Sequence, residues 1–460
     1  MHSPEPVPSQ EMERVVVQKI CKHLIPFLAI LYTFCILDRG NISIAALQMK
    51  PDLKFNDGVY GLGAGVFFLS YFLCEVPSNL IMERVGARRW IARIMITWGA
   101  ISAALMFVHT PMSFYILRFL LGAAEAGFYP GILLYLTYWV PASGRAKVIS
   151  RFLSLSAVFG LVGGPLGGQL MRLHGLGLAG WQWLFLIEGL PSVLMGFYVL
   201  KLMPDAPSEA KWLSVEEKQW IADSLDEEGK RTERVAHFSW RSALGEPRIM
   251  ALCLIFILIQ TANNAIGAFA PLLIQSRSGT PAWSDTLVAT LQAIPALVGA
   301  IAMVLAASHS DRTGKRRLHV MLGYLIAGTG YLLCLKMPMA TGIIFALSIS
   351  ALGERIAAGS YWTVTTNLMG ARAAAGGIAF INSVGNLGGF IGPILMAQLK
   401  EHNHGDYSPG ILAAGILMLC GALVTFLTLG APPKNEVPSV EAILPSVEDI
   451  AALAQPEQHP

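Results

Sequence analysis

Four charged residues stand in otherwise apolar surroundings: Asp38 and Arg39 in "CILDRGNIS" (35–43), and Arg118 and Glu125 in "RFLLGAAEAGFYPG" (118–131). An acid or base at the centre of a membrane-spanning helix costs about 2.5–3.5 kcal/mol on insertion scales, so it persists where it finds a partner or lines a polar cavity. A guanidinium grips a carboxylate with a planar fork of donors and stays charged at any physiological pH. Arg39 is therefore the candidate for holding a substrate anion. Asp38 and Glu125, acids in the same surroundings, are candidate proton carriers. Neighbours on a helix point about 100° apart, so one of Asp38 and Arg39 can face a cavity while the other faces an adjacent helix. Arg118 and Glu125 are seven residues apart, about 10 Å along a helix. That is too far for a direct pair, and each needs a partner elsewhere. Asp38 is the expected partner of Arg118. The competing reading makes all four a static buried network that orients the helices.

Aromatic and amide residues would complete a mostly apolar pocket. Tyr71 lies four residues before Glu75, on the same helical face. Gln260, Asn263 and Asn264, then Ser360, Tyr361 and Trp362, then Asn382 and Asn386 recur in later apolar segments. For each of these an ordinary interhelical hydrogen bond competes with ligand contact. Glu75 in "CEVPSN" and Glu188 in "LIEGLP" adjoin prolines, and structural hydrogen bonding is expected of both.

The elements that must position these residues follow from composition. The 460-residue chain is 54% hydrophobic and 14% charged, against about 25% charged in soluble domains, so it is a membrane protein. Apolar runs long enough to span a bilayer fall near 23–47, 58–82, 89–109, 112–140, 147–171 and 181–203. A second set falls near 248–275, 284–307, 317–337, 340–369, 373–399 and 408–430. Of the 33 Lys and Arg, 24 lie on the side that holds both termini and 6 on the other, so both termini are expected in the cytoplasm. The bases are distributed by side and form no nucleic-acid patch. The six cysteines (21, 35, 74, 253, 334, 420) lack metal-ligand spacing and read as small apolar packing residues. Residues 1–20 do not form a cleavable signal. No metal, cofactor, nucleophile-base set or phosphate loop is indicated.

The chain repeats itself. "ERVGARR" (83–89) and "DRTGKRR" (311–317) align at an offset of 228, and the same offset brings Gly160, Gly164 and Pro165 onto Gly388, Gly392 and Pro393. Two motifs sharing one offset indicate a duplicated six-helix unit. The expected organisation is a cytoplasmic segment 1–22, a six-helix bundle 23–203, a cytoplasmic linker 204–247 with a short amphipathic helix at 214–228, a second bundle 248–430 and a disordered tail 431–460. The fold class is all-α: twelve membrane helices in two pseudo-symmetric bundles. Glu354 and Arg355 fall opposite Ala126 and Gly127 at this offset. They read as a neutralising pair or as a substrate-tuning feature.

An acid, Arg, a variable residue, Gly and further bases between helices 2 and 3, repeated between helices 8 and 9, resembles the major facilitator superfamily. More narrowly, "LDRGNIS", "CEVPSNLIMERVGARRW", "RFLLGAAEAGFYPG" and "WLFLIEGLPSVLMG" resemble its anion:cation symporters, bacterial carriers of sugar acids, tartrate, phthalate and hydroxyphenylacetate. The resemblance implies proton-coupling roles for Asp38 and Glu125, with Arg118 beside them, and a site-lining role for Tyr71. At the cytoplasmic helix ends, Glu83, Arg84, Arg88 and Arg89 and Asp311, Arg312, Arg316 and Arg317 read as gate residues, because carboxylate–arginine pairs there can lock two helices in one state and release them in the other. The substrate-contacting set is then Arg39, Tyr71, Gln260, Asn264, Tyr361, Trp362 and Asn386. The expected activity is import of a small organic carboxylate by proton symport and alternating access, by a monomer in the bacterial inner membrane. The glycine-proline run in helix 5 keeps anion exchange open as the rival. A non-transporting sensor is disfavoured because no segment outside the helices could form an output domain.

Overall fold

A computed structural model describes residues 9–233 and 246–428; the side chains of 366–376 and a few others, Asp311 included, are outside the described set, as are the tail 431–460 and part of the linker. Among the described residues, twelve helices are long and apolar enough to cross a membrane. The first six are α1 (Ile25–Leu53), α2 (Asp57–Val85), α3 (Ala87–Phe107), α4 (Pro111–Thr137), α5 (Ala142–Leu170) and α6 (Gly180–Leu202). The second six are α7 (Pro247–Ser276), α8 (Asp285–Ala306), α9 (Arg316–Cys334), α10 (Ala340–Thr365), α11 (Phe380–His402) and α12 (Ser408–Thr428). The number matches the apolar runs, and the corresponding starts Asp57 and Asp285 differ by 228.

Local chemistry sets the helix ends. Asn56 accepts from the Val59 amide at the start of α2, and Thr110, followed by Pro111, closes a capping box with Ser113 at the start of α4. Such caps satisfy orphaned first-turn donors. Outside the membrane helices, Ser9–His23 and Val215–Glu233 are helical. Lys19 pairs with Glu217 at 2.7 Å, and Arg145 pairs with Glu228 at 3.0 Å. The helix expected at 214–228 is thus docked on the first bundle, at the end that holds the N-terminal segment.

Glycines let helices approach closely. A Cβ at Gly99 of α3 would meet the Gly189 carbonyl of α6 at 2.7 Å. The composition gave no sign of three helix breaks. In α4 the helix stops at Glu125 and restarts at Phe128, with Gly127 at φ +86 between. In α5 it breaks between Gly160 and Gly163, and in α8 between Leu291 and Ala293.

The two bundles are joined at the end opposite the N-terminal segment. There Gln48 donates to Asp285 (2.9 Å), the Gly58 amide to Glu401 (2.7 Å), Thr286 to the Gly168 carbonyl (2.7 Å) and Tyr60 to the Ala268 carbonyl (2.7 Å). Asp57 of α2 accepts from Lys50 of α1 and from Lys400 of α11. The sequence reading placed its gate residues in the basic loops at the other end. The connections seen in this state lie here instead, where three acids and two lysines sit at helix ends.

Candidate transport site

Helix length places one charged layer. Arg39 lies 14 residues before Leu53, and Tyr71 and Glu125 lie 14 residues after Asp57 and Pro111. At about 1.5 Å per residue, all three sit about 21 Å from the joined end.

Within this layer Asp38 and Arg39 diverge as expected. Asp38, 4% exposed, turns to α3 and accepts from Trp98 Nε1 at 3.1 Å and from the Ser102 hydroxyl. Arg39 Nε donates to Glu125 Oε1 at 2.5 Å. Its guanidinium lies 4.9 Å from the Tyr71 ring and 5.8 Å from that of Phe67. The Arg39 side chain is 35% exposed while Glu125 is fully buried. One member of the pair is therefore open to a ligand and the other is not. Glu125 Oε2 has no hydrogen-bond partner among the described residues. The break after Glu125 explains its placement: the chain turns at Gly127, where a Cβ would meet Ser78 Oγ at 2.4 Å, so α4 packs tightly on α2 just beyond the acid.

Several expectations are corrected. Arg118 does not pair with Asp38. It donates to the carbonyls of Gly63 (3.1 Å) and Ala64 (3.4 Å) and lies over Phe67, because the glycine stretch of α2 presents its backbone to α4. The partner missing for Glu125 is Arg39. Cys35, read as packing alone, donates its thiol to Glu125 Oε1 at 3.2 Å. Glu75 accepts from Asn382 (3.3 Å) and Asn386 (3.2 Å). This joins α2 to α11 across the two bundles, so Asn386 engages an acid of the other bundle. Glu188 is buried against Asn41 of α1, which is the polar partner available to its carboxylate.

In the second bundle, Tyr361 is 1% exposed and donates to the Leu252 carbonyl at 2.8 Å, so its hydroxyl is committed to α7 and not to a ligand. Trp362 packs edge-on against Phe256 at 5.2 Å. Asn264 donates to the Gln260 carbonyl within α7. Glu354 and Arg355 form no direct ion pair, although the Arg355 charge acts on Glu354. Glu354 accepts from Tyr331 (2.5 Å) and Asn263 (3.1 Å), while Arg355 is exposed.

Of the expected gate residues, Arg88 pairs with Asp205 (3.0 Å) and Glu209 (3.3 Å) beyond α6, and Arg317 donates to the Phe426 carbonyl of α12. Glu83, Arg84, Arg89 and Arg312 are exposed. Arg316 is half-buried. Asp311 lies outside the described residues. Among the described residues, Glu83 forms no ion pair with the arginines of the second repeat. The Cys35 and Glu75 contacts were legible only as isolated polar groups, because each depends on which helix packs opposite.

Twelve membrane helices in two pseudo-equivalent bundles, with a charged layer at mid-depth, define a secondary transporter. Residues 28–393 match the model of the Major Facilitator Superfamily, and the chain belongs to that family of membrane transporters. It is 42% identical over 429 residues to the "Putative tartrate transporter" of Agrobacterium vitis, covering 93% of this chain and 94% of that protein. It is 35% identical to the "Quinolone resistance transporter" of Acinetobacter baumannii, covering 94% and 98%. Among solved structures, a bacterial homolog to the human lysosomal transporter Spinster, in its inward-facing and unoccupied conformation, matches with a TM-score of 0.72. At 18% identity, over 93% of this chain and 98% of that one, the likeness is one of fold.

Proposed function

We propose that the chain imports a small organic carboxylate, of the sugar-acid, tartrate or aromatic-acid class, by proton symport. The Arg39–Glu125 pair carries this reading. A substrate carboxylate competes with Glu125 for the partly open Arg39 guanidinium. Removing one partner of a buried ion pair costs about 3–5 kcal/mol, so Glu125, displaced into a water-poor site, neutralises itself by taking a proton. Substrate and proton then load together. When the substrate leaves, Arg39 recaptures Glu125 and the proton is expelled. The name of the 42% identical relative and the resemblance to anion:cation symporters support the substrate class.

Alternating access around the layer is part of the proposal. The bundles are joined at the end opposite the N-terminal segment, and with the termini in the cytoplasm this is the state open to the inside. Tyr71, against Arg39, and the Glu75–Asn382–Asn386 bridge would report ligand arrival to the second bundle. The basic loops act as the lock of the opposite state, and the carrier works as a monomer in the bacterial inner membrane. Exchange of one anion for another is the second reading, favoured by the break of α5 at its glycine-proline run. Proteoliposomes decide between them: accumulation of labelled tartrate driven by a pH gradient, collapsing with a protonophore, supports symport. Counterflow without any gradient-driven accumulation supports exchange.

A further inference from the structure

We propose that Arg355 is a second anion-binding residue, so that the preferred substrate carries two carboxylates, one held by Arg39 on the first bundle and the other by Arg355 on the second. The inference rests on the carboxylate reading above and narrows it.

Arg355 lies 15 residues after Ala340 in α10, about 22 Å from the joined end, the same depth as Arg39. A guanidinium facing lipid there is strongly disfavoured. Arg355 is nonetheless exposed; its charge acts on Glu354 beside it, and its guanidinium makes no hydrogen bond or direct ion pair among the described residues. Its neighbour Glu354 is engaged by Tyr331 and Asn263 inside the second bundle. A polar cavity is the surface that accommodates such a charge at that depth.

The packing of its stem points the same way. A Cβ at Gly299 of α8 would meet Arg355 Cγ at 2.9 Å, so the glycine makes room for the arginine. At the 228 offset Gly299 is the counterpart of Tyr71, whose ring lies against the Arg39 guanidinium. The first bundle thus has an aromatic ring where the second has a glycine with an arginine stem laid over it.

Two guanidinium groups at one depth on opposite bundles repel each other as the bundles approach. A dicarboxylate neutralises both and bridges the bundles, whereas a monocarboxylate leaves one cation uncompensated. Preference for the dianion and closure of the site then have one cause.

The test is binding of L-tartrate and of its monoamide, which has nearly the same size and one charge fewer, to purified transporter in lipid nanodiscs by calorimetry. The parent should bind tartrate about tenfold or more tighter than the monoamide. Arg355→Gln should bring the two within about twofold by weakening tartrate alone. Arg355→Lys, which keeps the charge and loses the fork, should leave an intermediate preference, and it stands as the second variant if the glutamine form does not fold. Equal affinity of the parent for both probes overturns the role of Arg355 while leaving the carboxylate reading in place. So does an equal weakening of both probes in Arg355→Gln. Failure of the parent to bind either probe overturns the proposal, and failure to bind D-gluconate and benzoate as well defeats the carboxylate reading itself.

Discussion

Replacing Glu125 by glutamine separates substrate binding from proton coupling. The side chain is fully buried, accepts from Arg39 Nε at 2.5 Å and from Cys35 at 3.2 Å, and leaves Oε2 without a partner. Glutamine keeps a hydrogen bond from the charged guanidinium and loses the ionic attraction, which for a pair with one partly exposed partner is about 1 kcal/mol. Glutamine therefore competes less strongly than Glu125 for the guanidinium by about 1 kcal/mol, or about fivefold in affinity. Under the proposed symport, substrate capture of Arg39 requires Glu125 to bind a proton, so the parent's affinity should fall as pH rises. In Glu125→Gln no proton is required. Affinity at alkaline pH should rise about fivefold and its dependence on pH should flatten. Calorimetric titration with tartrate from pH 6 to 9 reads both effects. In proteoliposomes of the same variant, accumulation driven by a pH gradient should vanish while counterflow survives, because exchange needs the loaded carrier to reorient but not the proton to leave. Loss of binding together with both transport modes would show that Glu125 is structural. Retained gradient-driven accumulation would show that the proton travels on another acid, Asp38 first.

Arg39→Lys keeps the charge but not the bidentate fork, and specific uptake should fall to background in a transport assay; near-parental affinity would remove Arg39 from the substrate site. Asp57→Asn removes the acid that Lys50 and Lys400 share at the joined end. It should shift the population toward opening of that end, read as faster labelling by an impermeant thiol reagent of a cysteine placed at Ala289, which is fully buried against Gly164 and Gly168. Gly127→Ala adds a Cβ at φ +86 that meets Ser78 Oγ at 2.4 Å; a melting temperature lowered by several degrees, from about 1–3 kcal/mol of backbone strain, should accompany weakened uptake, and an unchanged melting temperature would discount the tight turn after Glu125. Neutralising Arg89 should lower the transport rate more than tartrate affinity, and the reverse result would place the basic loops in the ligand site.

Hydrophobic run length and charge asymmetry are one-dimensional properties, and they suffice for twelve helices. The 228 offset, seen in "ERVGARR" and "DRTGKRR" and in the paired glycine-proline runs, carries the pseudo-symmetry, because duplicated chain keeps its register. The charged layer was legible too: a base or acid in the middle of an apolar run announces a polar environment without naming its partner. Partners belong to the packing of helices. Glu125 meets Arg39 because α4 breaks at Gly127 against Ser78, and Arg118 meets carbonyls of α2 because Gly63 exposes the backbone there. Glu75 reaches Asn382 and Asn386 because α2 and α11 cross between the bundles. Tyr361 is lost to the pocket because its hydroxyl finds the Leu252 carbonyl. In each case spacing along the chain established that a polar group stood at a given depth. The rotation of its helix and the identity of the facing helix, which only the tertiary fold decides, determined whether it held a ligand, a proton or another helix.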